Sequence, residues 1–123
     1  MLSKVINRIR NSYMVYHFSV TFKEVRFTTK VLDLLWKENM IRGYSRGEGG
    51  KITVLLRYFE ESPACTSLIV LTRPRDRLYI SLLDLVRLED TFGVIILSTT
   101  SGILTSQGAI RSGKGGELLA FAA

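Results

Sequence analysis

The chain has 123 residues, 46% hydrophobic and 23% charged, enough for one ordinary domain or two small lobes around a real core, and too apolar for wholesale disorder. Seventeen Lys and Arg against 11 Asp and Glu leave a formal charge of +6, which favours a polyanionic partner, nucleic acid before membrane surface. The single cysteine, Cys65, excludes an intramolecular disulfide and a multi-thiol zinc site, and no apolar run approaches the roughly 20 residues that span a bilayer.

Leu2, Val5, Ile6 and Ile9 recur at helical spacing around Ser3, a helix-capping residue type. They predict an amphipathic first helix over residues 3–11, with Lys4, Arg8 and Arg10 facing outward. No acidic residue precedes Glu24, so an RNA-binding helix and an uncleaved organellar targeting helix share the same physics here; a solvated basic face is the plainer alternative. Residues 12–27 are dense in Tyr, Phe and Val without one period, and 20–22 read as a strand. Thr28 or Thr29 opens a second helix whose Val31, Leu32, Leu35 and Trp36 are expected in the core, with Asn39 as a left-handed cap. The four glycines of residues 43–50 predict a turn, and 52–58 a β-prone strand. Residues 60–66, with Pro63, are the candidate boundary between lobes 1–62 and 63–123.

Residues 67–71 predict a short strand, followed by Thr72-Arg73-Pro74-Arg75-Asp76-Arg77-Leu78-Tyr79. Guanidinium forks fit phosphate oxygens and Tyr79 can stack on a base or ribose, against the alternative of a solvated charged turn. Leu82, Leu83, Leu85, Val86 and Leu88 predict a short apolar helix. Next, Gly93-Val94-Ile95-Ile96-Leu97 leads into Ser98-Thr99-Thr100-Ser101-Gly102, expected as a hydroxyl loop. Such a loop concentrates hydrogen-bonding groups with almost no charge and suits close approach to sugar and phosphate; hydroxyls that cap nearby backbone are the alternative. A short strand at 103–105, a helix at 106–112, a Gly-rich turn and a last apolar strand complete the chain.

Catalysis finds little to work with. Gly108 to Lys114 satisfies the first part of a phosphate-binding loop, yet Gly115 stands where a magnesium-binding Ser or Thr is required. The only histidine, His17, sits between Tyr16 and Phe18 and reads as a packing residue. Glu60-Glu61 is a pair of carboxylates at a turn, and no ligand cluster for a metal stands out.

The run from Gly93 onward resembles the carboxy-terminal signature of the small-subunit ribosomal protein eight family. An apolar strand, a Ser-Thr-Ser-Lys-Gly loop, an Ile-Leu-Thr step and a Gly-x-Gly-Gly-Glu turn match Val94 to Leu97, Ser98 to Gly102, Ile103-Leu104-Thr105 and Gly113-Lys114-Gly115-Gly116-Glu117. Arg8-Ile9-Arg10-Asn11 resembles the end of the family's first helix, Leu56-Arg57-Tyr58 a strand end, and Arg73, Pro74, Arg77 and Tyr79 its Ser-Arg-Pro-Gly-x-Arg-x-Tyr segment. Three departures stand out. Arg75 replaces that segment's glycine, Ser101 replaces the loop lysine, and Ser106-Gln107 stand where the helix has an acidic and a basic residue.

The resemblance implies an α+β fold of two small lobes, the first helix-strand-helix-strand-strand and the second mainly β with short helices. It implies a non-enzymatic constituent of the small ribosomal subunit that binds the central domain of small-subunit ribosomal RNA beside neighbouring ribosomal proteins. No cofactor, membrane or small-molecule substrate is implied. The residues it marks for RNA contact are Arg8, Arg10, Asn11, Arg73, Arg77, Tyr79, Ser98, Thr99, Thr100, Ser101, Gly102, Lys114, Gly115, Gly116 and Glu117. Lys114 is set to compensate for the lysine missing at Ser101. The acid-free start, the aromatic substitutions and the lost helix charges point to a mitochondrial ribosome ahead of a chloroplast or bacterial one. The rival readings are a basic protein-interaction module and a nucleotide-binding enzyme using Gly113-Lys114.

Overall fold

The computed structural model describes residues 2–71, 75, 77–88 and 93–123. Arg73 and Pro74, like Asp76 and Phe92, lie outside the described residues. The architecture is α+β, and its contacts group residues 1–68 into one unit and 69–123 into another.

In the first unit, helix α1 (Leu2–Met14) is followed by β1 (Ser19–Lys23), α2 (Thr28–Lys37), β2 (Ile41–Arg46) and β3 (Lys51–Leu56). Strand β3 lies between β1 and β2, antiparallel to both. Alternation puts Val20 and Phe22 of β1 and Ile52, Val54 and Leu56 of β3 on the buried face. The stripes Val5, Ile6, Ile9, Tyr13 on α1 and Val31, Leu32, Leu35 on α2 are buried with them. Helix α1 runs three residues beyond Asn11 because Tyr13 continues its stripe: the phenol donates to the Met40 carbonyl and accepts from the Arg57 amide at 3.2 Å. Burial pushes the Tyr13 phenol up to about 12.

Trp36, expected in the core, is 49% exposed. It sits one residue past the buried stripe of α2, its ring edge-on to Tyr44 at 6.0 Å and beside the space that a side chain on Gly43 would enter. Of the turn expected over residues 43–50, residues 43–46 are strand paired with β3 and the turn itself takes residues 47–50; a register shift between Ile41 and Gly43 and the +152° φ of Gly43 absorb the irregularity. His17 is exposed rather than packed, because the chain reverses just before it. Short strands β4 (Tyr58–Phe59) and β5 (Ser62–Pro63) form a hairpin after β3. The Ala64 amide bonds the Arg57 carbonyl at 2.9 Å, and the Cys65 side chain is buried.

The second unit takes all but the first residue of β6 (Leu68–Val70), then β7 (Tyr79–Ile80), α3 (Leu82–Arg87), β8 (Val94–Thr99), β9 (Gly102–Thr105), α4 (Ser106–Ser112) and β10 (Gly116–Ala122). Strand β10 is central: β8 and then β9 follow on one side, while β6 and β7 also pair with it. Leu85, Leu97 and Ala109 make the core, with Ile80, Ile95, Ile110 and Leu118 packed against it. Of the apolar residues that predicted α3, Leu85 is buried, while Leu83, Val86 and Leu88 are exposed. The Ser81 hydroxyl caps α3 at the Asp84 amide, and Thr105 caps α4 at the Gly108 amide.

Candidate nucleic-acid interface

The hydroxyl stretch is a hairpin rather than a loop. Ser98 and Thr99 belong to β8, Thr99 pairs with Gly102 on β9, and only Thr100 and Ser101 form the turn. Its geometry rests on two local features. The Thr99 hydroxyl donates to the Gly102 carbonyl at 3.0 Å and accepts from the Ser101 amide at 3.1 Å, and Gly102 takes a φ of +109° that disfavours a side chain. Thr99 is thereby spent on the turn, while Thr100 and Ser101 are exposed at its tip.

Lys114 reaches this tip from the far end of the unit's last helix. Gly113, at φ +69°, ends α4: its amide bonds the Ile110 carbonyl and the Lys114 amide bonds Ala109, both at 3.0 Å. Lys114 then extends its ammonium to the Ser101 hydroxyl at 2.6 Å. This geometry disposes of the phosphate-loop motif. A phosphate-binding loop precedes a helix N-terminus, whereas Gly113-Lys114 follows a C-terminus, where free carbonyls present partial negative charge.

Gly115 and Gly116 are required by packing. A Cβ on Gly115 would fall against the Ile80 carbonyl oxygen and within 3.0 Å of the Leu82 amide, and one on Gly116 against the Ser98 carbonyl. The two glycines let β10 start between β7 and β8, which brings Glu117 into register with Tyr79 on one side and Ser98 on the other. Opposed residues of paired strands share a face, so Tyr79, Glu117 and Ser98 form one row across the sheet. The Glu117 side chain is only 16% exposed, and its carboxylate faces the Arg77 guanidinium at 3.7 Å, which is itself 67% exposed. Tyr79 is 71% exposed at the end of the row.

Thus Arg77, Tyr79, Ser98, Thr99, Thr100, Ser101, Gly102, Lys114, Gly115, Gly116 and Glu117 come together on one unit. Arg8, Arg10 and Asn11 are exposed on α1 of the other, with Arg8 donating to the Thr21 carbonyl at 3.1 Å. Arg73 lies outside the described residues. Sequence reasoning left Arg42 and Arg57 without a role, and the aromatic density of residues 12–27 was the one signal near them. Among the described residues, no group of three His, Cys, Asp or Glu is placed to hold a metal ion, and no helix is long and apolar enough to cross a membrane.

The pattern of the family described as Ribosomal protein S8 matches residues 1–122. The chain is 36% identical to the small ribosomal subunit protein uS8 of Rubrobacter xylanophilus over 124 aligned residues, covering 98% of this chain and 94% of the relative. It is 35% identical to the protein of the same name from Rhizorhabdus wittichii, covering 97% and 93%. With that of Teredinibacter turnerae it shares 32% identity, covering 96% and 92%. The match spans both units, Arg77 and strand β7 as well as the hydroxyl hairpin, and with it the chain belongs to the ribosomal protein S8 family, whose members are structural proteins rather than enzymes.

Proposed function

We propose that this chain is a structural constituent of the small ribosomal subunit that binds the central domain of small-subunit ribosomal RNA directly and supports its folding. Family membership supports the ribosomal role. The observation that carries the RNA contact is the ammonium of Lys114 on the Ser101 hydroxyl at the hairpin tip. A cation stands at the turn where the family's own lysine is replaced by serine, so phosphate affinity is retained from the connection between α4 and β10. Beside it, exposed Tyr79 offers a stacking face and Arg77 a guanidinium held in place by Glu117.

A surface of hydroxyls and few cations recognises the shape and backbone of an irregular RNA helix better than a run of base edges. Arg8, Arg10, Asn11 and Arg73 are assigned to further backbone contacts, and neighbouring small-subunit ribosomal proteins complete the setting. The compartment proposed is a mitochondrial ribosome, on the basic first helix and the absence of any acidic residue before Glu24. The relatives named above are bacterial, and cell fractionation with detection of the native protein decides between the two.

The test of RNA binding is a salt titration with a central-domain fragment, comparing wild type with Thr100→Ala/Ser101→Ala and Arg77→Ala. Tight binding that weakens as salt rises, with roughly 1–3 kcal/mol lost in the hairpin variant, is the expected result. Binding no tighter than to an unrelated duplex would overturn the reading.

A further inference from the structure

The first unit carries a second surface to which the hairpin end gives no role. After α1, Tyr16 adopts a left-handed φ of 58°, with its amide on the Tyr13 carbonyl and the His17 amide on Ser12. That reversal lays the Tyr16 ring on Tyr58, with centroids 5.7 Å apart and planes 22° from parallel. Phe18 follows, 86% exposed. Its backbone is nevertheless fixed, since its carbonyl accepts from the Leu56 amide at 2.9 Å and the Tyr58 hydroxyl donates to the neighbouring His17 carbonyl at 2.7 Å.

Phe18 forms one wall of a cleft of about 490 Å³ whose other lining residues are Arg42, Leu56, Arg57, Tyr58 and Phe59. The Arg57 guanidinium lies 4.5 Å over the Phe59 ring and donates to the Asn39 side-chain carbonyl at 3.3 Å, so its plane is set in advance. Among the described residues, two guanidinium groups and no carboxylate line this cleft; Glu61 lines the adjoining one with Tyr16, Phe18 and Tyr58. Its volume lies within the roughly 300–1,000 Å³ of small-ligand sites. Aromatic walls ask for a flat occupant, and paired arginines ask for an anion attached to it.

We propose that this cleft takes one unpaired nucleotide of an RNA strand, its base stacked against Phe18 and its phosphate held by Arg42 and Arg57. The site lies on the other unit from the hairpin and rests on the reading above only in supposing an RNA partner. Stacking of a base on an aromatic ring tolerates any base, so the contact selects an extruded nucleotide and not a sequence.

The test uses the full chain with two fluorescent probes, hexaadenylate and a hexamer of the same charge with abasic sugars. Wild type is expected to bind hexaadenylate, and Phe18→Ala to lose roughly tenfold or more. The abasic hexamer should bind wild type no better than hexaadenylate binds Phe18→Ala. Arg42→Gln/Arg57→Gln should weaken both probes, and Thr100→Ala/Ser101→Ala neither. Because Phe18 is solvent-facing, an unchanged melting curve keeps the variant interpretable. Equal binding of hexaadenylate by wild type and Phe18→Ala, or equal binding of both probes by wild type, overturns the cleft. Phe18-dependent binding of hexaadenylate without binding of the central-domain fragment would support the cleft and sink the hairpin reading alone.

Discussion

The hairpin end of the second unit and the aromatic cleft of the first present cations in opposite ways. At the hairpin, each charged group leans on a polar neighbour: Lys114 on the Ser101 hydroxyl, Arg77 on the Glu117 carboxylate. In the cleft, Arg57 lies on a ring with Asn39 as its polar anchor, and Arg42 lines the same space with no carboxylate among the described lining residues. The first arrangement suits an RNA backbone that keeps much of its hydration, because hydroxyls and hydrated cations exchange water bonds for phosphate bonds at little net cost. The second suits a group that has left its stack and brings an apolar face with it. The two surfaces therefore fail under different substitutions.

The largest expected effect strikes the hairpin end through its packing. Gly115→Ala and Gly116→Ala put a methyl group against the backbone of β7 and β8, and a backbone carbonyl cannot yield as a flexible side chain can. Each substitution is expected to destabilise by about 3 kcal/mol, measured by urea unfolding, with loss of RNA binding following from misplacement of Lys114 and Glu117. If Gly115→Ala unfolds at the wild-type urea concentration, the strand entry is looser than described. Hexaadenylate binding by any folded fraction should persist, which separates the two surfaces.

The next effect belongs to the scaffold behind the cleft. Tyr13→Phe removes a phenol that donates to the Met40 carbonyl and accepts from the Arg57 amide, leaving a buried carbonyl and a half-buried amide short of a partner. A loss of about 2 kcal/mol is expected in the same urea assay. The pH dependence has a definite sign. The folded Tyr13 pKa is raised from 10.0 to about 12, so its contribution is complete below pH 10 and disappears as pH rises through 10 to 12. Wild type should lose stability over that interval more steeply than Tyr13→Phe, and parallel curves would count against the buried phenol. Lys114→Gln comes third: about 1 unit off the slope of log affinity against log salt for the central-domain fragment, with stability nearly unchanged.

How much of this was legible in the sequence depended on how local the cause was. Periodicity gave α1 and α2, β-prone residue types gave the strand over 52–58, and Asn39 was readable as a left-handed cap because its side chain tolerates that conformation, which it adopts at a φ of 60°. Left-handed residues also follow α1, at Tyr16, and α4, at Gly113 in the Gly-rich turn, so the cap was named at one helix and hidden at Tyr16. Nothing local marks Tyr16; its stack on Tyr58 joins residues far apart in the chain. Trp36 was misplaced for a similar reason, since apolar character cannot say whether a ring sits under a helix or beside it over Gly43. At the interface, the residue types were readable and Lys114 was expected to stand in for the lysine missing at Ser101, but the hydrogen bond that joins the two was not. It follows from a helix end and a hairpin register that only the folded sheet brings together.

The smallest effect tests a strained turn that serves the cleft. Phe59 pairs with Ser62, and both residues between them, Glu60 and Glu61, have positive φ, 48° and 70°. A two-residue hairpin with two left-handed positions is the turn for which Asn-Gly is best suited, since glycine has no Cβ to strain and asparagine tolerates the conformation. Two glutamates there hold Phe59 and Tyr58 in place at some expense in backbone energy. Glu60→Asn/Glu61→Gly is expected to raise stability by about 1 kcal/mol, seen as a higher melting temperature. It also removes the carboxylate that lines the adjoining cleft, so hexaadenylate should bind somewhat more tightly while the hairpin's affinity for the central-domain fragment stays where it was. A stabilised protein with weakened hexaadenylate binding would mean that Glu61 contributes to the cleft, and that charge alone does not decide what the cleft accepts.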